Sequence, residues 1–144
     1  MKIEFDSEDN IFENDKLFYH ISRLIFAPEF NFSDIPPHAF TPQEDGNLSV
    51  NWEKYCATAE DCMNIKTERY PIGRSNLTHG IGHFITKEVR EIEFLQVVYS
   101  ETMMNKSHCH IEGIPLKKPK EPYNEMRKKL KRIFKYWDIE PINK

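Results

Sequence analysis

Residues 122–137 place the firmest constraint on the fold. Met126, Leu130, Ile133, Phe134 and Trp137 recur at the spacing of one helical face, and Pro122 suits a first-turn position. Lys128, Lys131, Arg132 and Lys135 fall at i, i+3, i+4 and i+7. At 100° per residue Lys128 lies about 200° round from Met126, so the basic stripe opposes the apolar face. A helix of this kind must cover an apolar surface supplied by the rest of the chain. With 144 residues, 39% of them hydrophobic, a single domain can bury roughly 70% of its unfolded surface.

The preceding sequence reads as short elements between turn signals. Asp45-Gly46-Asn47 feeds a strand over Leu48–Trp52, Thr58 caps a short helix running to Lys66, and Tyr70-Pro71-Ile72-Gly73 is a turn. Strands are predicted over Ile81–Ile85, Phe94–Tyr99 and His108–Glu112, with one helical turn over Lys87–Ile92. Nearer the N-terminus, Leu17, Phe18, Ile21, Leu24 and Ile25 fit a helical period, with Asn14 or Asp15 as cap and Pro28 as stop. Residues 1–14 are an acidic arm or an edge strand. The expected fold is therefore α+β over a single domain, 1–144: a small, mostly antiparallel sheet flanked by an N-terminal helix and a basic amphipathic C-terminal helix.

Charge is unevenly placed. The net of −3 divides into 10 basic and 19 acidic side chains over residues 1–116, then 10 basic and 4 acidic over residues 117–144. The C-terminal stripe of Lys128, Lys131, Arg132 and Lys135 is a candidate anion-binding surface, for an acidic protein or for nucleic acid through residues 117–135. A solvated helix face is the plainer reading. The longest apolar run, Leu24–Ala27, is far short of the roughly 20 residues that a membrane span needs. The N-terminus has no basic region followed by an apolar one. Cys56, Cys62 and Cys109 match no common disulfide or zinc spacing, which is read as three free thiols in a reducing cytoplasm.

Two groups carry candidate chemistry. Strand alternation places His108, His110 and Glu112 on one face, with same-face neighbours about 6.6 Å apart. His108 and His110 are candidate ligands for a divalent metal such as zinc, and Glu112 is a candidate general base. His79 and His83 lie four apart in a glycine-rich segment, too far along a strand to share an ion. The second group is the proline-rich loop 27–47, where Phe30, Phe32 and Phe40 are partner-binding anchors if exposed and core plugs if not.

His38-Ala39-Phe40-Thr41-Pro42, Leu48-Ser49-Val50 and Asn105-Lys106-Ser107-His108 with Ile111 and Gly113 resemble a group of small bacterial proteins. These share an aromatic loop, an "LSV" strand and a late N-x-[AS]-H-x-x-[IV]-x-G segment. The resemblance covers roughly residues 38–115 and implies no activity, cofactor or substrate. It implies that His108 and the Leu48–Val50 strand belong to one core. Cys109 and His110 depart from the pattern, which weighs against a metal pair. The first functional expectation is a non-enzymatic cytoplasmic accessory protein that binds a protein partner, in a bacterial defence or toxin-related system. A metal-dependent hydrolase or nuclease built on the HxHxE strand is the second, and a nucleic-acid-binding module the third.

Overall fold

The computed structural model describes residues 11–26, 32 and 34–142. Six strands form one antiparallel sheet: β1 (Lys16–Ser22), β2 (Leu48–Trp52), β3 (His79–Ile85), β4 (Gln96–Tyr99), β5 (His108–Glu112) and β6 (Lys135–Ile139), in the order β4-β5-β2-β1-β3-β6. Helices α1 (Ala59–Met63), α2 (Thr86–Arg90) and α3 (Lys120–Ile133) and three short 3-10 turns complete the α+β architecture.

The predicted N-terminal helix is instead the central strand β1. Its misleading pattern has a physical cause. Leu17 and Ile21 enter the main core, while Phe18 on the opposite face packs with Cys56, Cys62, Met63 and Ile81 in a second cluster. A strand buried on both faces loses the clean alternation that identifies a strand. Leu24, counted on the supposed helical face, is 93% exposed. Asp15, expected as a helix cap, ties separate segments together. Its carboxylate accepts from Trp52 Nε1 at 3.0 Å and its carbonyl accepts from the Thr86 amide and hydroxyl.

The main core lies between the sheet and α3. Tyr123, Met126 and Leu130 form the buried stripe of α3. Phe134 follows as the C-cap and meets Phe40 and Phe84 at ring-centroid distances of 5.2 and 5.0 Å. Burying each such side chain contributes roughly 2–3 kcal/mol. The helix ends at Ile133, so Trp137 and Lys135 lie on β6 rather than on the helix as expected. Gly82 makes this arrangement possible: a Cβ there would collide with the Phe134 ring and the Lys135 carbonyl.

The free-thiol expectation also needs correction. Thr58 caps α1 by accepting from the Asp61 amide, and the turn brings Cys62 beside Cys56, where they form a disulfide with Cα atoms 5.8 Å apart. Cys109 remains a thiol, fully buried, and burial pushes its pKa up to about 12. No helix among the described residues is long and apolar enough to cross a membrane.

Candidate functional site

The register of the sheet sorts its polar side chains. On the face turned away from α3 lie Phe18, His20 and Ser22 of β1, and His79, Ile81 and His83 of β3. Ser49 and Asn51 of β2 and His108, His110 and Glu112 of β5 share that face. Five of the six histidines of the chain are therefore on one side of the sheet.

This face is not continuous. β1 and β2 pair only at Leu17 with Trp52 and at Phe18 with Asn51. Beyond that point β1 stays with β3 through Ser22, while β2 stays with β5 through Leu48. The strands part, and a cleft of about 1050 Å³ opens between them. Ser49, Asn51 and His108 line one wall, and His20, His79 and Arg74 line another.

The cleft is cationic. Among the described residues its lining includes Arg23, Arg69 and Arg74 but only one carboxylate, Glu68. Arg74 stacks on the Tyr70 ring, 3.9 Å from its centroid, and Arg69 lies 5.4 Å from the same centroid. The Nε atoms of Arg74 and Arg23 are buried and have no hydrogen-bond partner among the described residues. A buried donor left unpaired costs about 1–3 kcal/mol. Burial, reinforced by the Arg74 charge, lowers the His20 pKa to about 3 and that of His79 to about 4. Both imidazoles are therefore neutral at pH 7. His20 donates from Nε2 to the Cys62 carbonyl at 2.9 Å. The rim is apolar, with Leu24 93%, Leu77 51%, Met103 104% and Met104 52% exposed.

His108 and His110 share a face as expected, but their ring nitrogens are engaged with protein groups. His110 Nε2 donates to Glu112 Oε1 at 3.0 Å, and both Nδ1 atoms lie within 3.0 Å of Ser100 Oγ. No group of three or more His, Cys, Asp or Glu side chains suited to hold a metal ion occurs among the described residues. Glu112 lies at the far end of this network and is not among the residues lining the cleft. His79 and His83 sit on one strand, β3, and His83 pairs instead with Asp138 at 2.7 Å.

Phe32 and Phe40 are 4% and 0% exposed, so they are core plugs; Phe30 lies outside the described residues. The basic stripe is largely matched by the chain's own carboxylates. Lys128 pairs with Glu125, Lys131 with Asp34, and Lys135, on β6, with Glu88. Arg132 is exposed and has no carboxylate partner among the described residues. Sequence reading missed the arginines of the cleft. Arg69 and Arg74 sit in a turn-rich segment without periodicity, and only the fold brings them beside His20 and His79. Comparison with family models, with curated proteins and with solved structures gives no match.

Proposed function

We propose that the protein binds a partner protein by capturing an extended acidic segment in the cleft between β1 and β2. The expectation of a partner-binding protein is kept, but its surface moves from the aromatic loop and the terminal helix to this cleft. One observation carries the reading: among the described residues the cleft lining brings together three guanidinium groups, Arg23, Arg69 and Arg74, and one carboxylate, Glu68. Guanidinium groups bind carboxylates through paired hydrogen bonds, and such charge-assisted bonds are roughly twice as strong as neutral ones. Leu24, Leu77, Met103 and Met104 supply apolar contacts beside the charge, which suits a peptide with leucines next to its acidic residues better than a bare inorganic anion.

The test is fluorescence anisotropy with a labelled peptide of alternating Glu and Leu, compared with its Lys and Leu counterpart. The acidic peptide is expected to bind in the micromolar range, with affinity falling as salt rises, and the basic one not to bind. Arg74→Gln and Arg69→Gln are each expected to weaken binding about tenfold. Equal binding of both peptides, or no binding of the acidic peptide at about 1 mM, would overturn the reading.

A further inference from the structure

The wall of the cleft opposite Arg74 holds a hydrogen-bonded chain whose direction is fixed by its chemistry. His108 Nδ1 lies 2.8 Å from the Ser100 carbonyl, which can only accept, so Nδ1 carries the proton. In the neutral ring Nε2 is then the acceptor, and Ser49 Oγ, 3.2 Å away, donates to it. On the other side His110 Nε2 donates to the Glu112 carboxylate, so its Nδ1 accepts from Ser100 Oγ at 2.9 Å. The order is Ser49, His108, Ser100, His110, Glu112. A serine hydroxyl on Nε2 of an imidazole whose Nδ1–H is held in place is the arrangement that activates a nucleophile.

The position of the pair gives it access to a ligand. Ser49 and His108 both line the cleft, and Gln43 Nε2 lies 3.3 Å from Ser49 Oγ. Asn51, also in the lining, has its amide oxygen taken by Asn105 Nδ2 at 2.7 Å, so what it can offer a ligand is its NH2 group. Two side-chain amides near a serine are suitable donors for a developing oxyanion.

We propose that Ser49 and His108 form a nucleophile–base pair for acyl transfer from carboxylic esters. Ser49 Oγ attacks the carbonyl carbon, a C–O bond forms, and the carbonyl electron pair moves onto oxygen. His108 Nε2 takes the Ser49 proton and returns it to the alcohol as the ester C–O bond breaks. Water repeats the sequence on the acyl-serine, releasing the acid and restoring Ser49. Ser100, His110 and Glu112 are positioning residues that hold the His108 ring and set a carboxylate behind it when it is charged. None of this requires the cleft arginines, so the pair stands even if acidic peptides do not bind.

The test uses the full chain and an alkyl fluorophosphonate, with the adduct located by peptide mass mapping. Ser49 Oγ forms a P–O bond, fluoride leaves, and the proton passes to His108. One adduct is expected, on Ser49, absent from Ser49→Ala and from protein unfolded in urea. His108→Gln keeps a hydrogen-bonding side chain without the base, and is expected to slow labelling by about 100-fold while circular dichroism shows an unchanged fold. Glu112→Gln is expected to leave Ser49 as the labelled residue and to move the pH profile of labelling. No adduct on the folded wild-type chain, an adduct on another residue, or Ser49 labelling that is the same after unfolding or in folded His108→Gln would overturn the proposal.

Discussion

His20 ties the stability of the fold to pH, and its contribution can be calculated. The ring is enclosed beside Cys62, where burial first and the Arg74 charge second hold its pKa at about 3 against 6.5 when unfolded. Between these values the unfolded chain binds a proton that the folded chain refuses. Stability from this group is therefore complete above about pH 6.5 and is lost progressively as pH falls toward 3. Each pH unit below 6.5 costs about 1.4 kcal/mol, so by about pH 5 the His20 share is about 2 kcal/mol. His79 acts in the same direction, with a folded pKa of about 4. The assay is urea unfolding followed by tryptophan fluorescence, comparing about pH 7 with about pH 5. In His20→Gln, where the amide can still donate to the Cys62 carbonyl, the loss on acidification is expected to be smaller by about 2 kcal/mol. If the variant loses as much stability as the wild type, His20 is not held neutral by its site and the argument fails.

Further expectations concern packing and charge. Leu130→Ala, at a position with no exposed surface, is expected to cost about 2–5 kcal/mol in urea unfolding. Gly82→Ala forces a methyl group against the Phe134 ring and the Lys135 backbone, and a loss of about 1–3 kcal/mol is expected from the same measurement. Lys131→Ala breaks only its exposed pair with Asp34, so the change in stability is expected to stay below about 1 kcal/mol. Duplex DNA binding measured across a salt series is expected to be weak, and unchanged by that substitution, because three of the four basic residues of the stripe are already paired with carboxylates.

Parts of the fold are legible in the sequence for identifiable reasons. Leu48–Trp52 and His108–Glu112 appear as strands with the bounds expected of them. Both alternate core-facing and polar residues between clear turn signals, because each has one face on the core and one on the open side. β1 does not alternate, since Phe18 is covered on the face where His20 and Ser22 are polar. β6 was hidden behind α3: Phe134 and Trp137 continue the helical spacing of Met126 and Leu130 although the chain turns at Phe134. The candidate site was visible only in part. His108, His110 and Glu112 share a face as strand geometry requires, but Ser49, Ser100, Arg69 and Arg74 join them through pairings between distant segments. No local period records which strands will part, and the cleft exists because β1 and β2 do.

The most direct test of the cleft as an anion site observes the Arg74 guanidinium itself, which stacks on Tyr70 in the cleft lining. In two-dimensional nitrogen-15 spectra of the arginine Nε–Hε groups, the Arg74 signal, assigned by its loss in Arg74→Gln, is followed while the acidic Glu and Leu peptide is added. The buried Nε of Arg74 has no acceptor among the described residues. Its signal is expected to move downfield and saturate with the acidic peptide and to stay in place with the Lys and Leu peptide. An Arg74 signal that does not move while the acidic peptide binds elsewhere, or that responds equally to both peptides, contradicts the account.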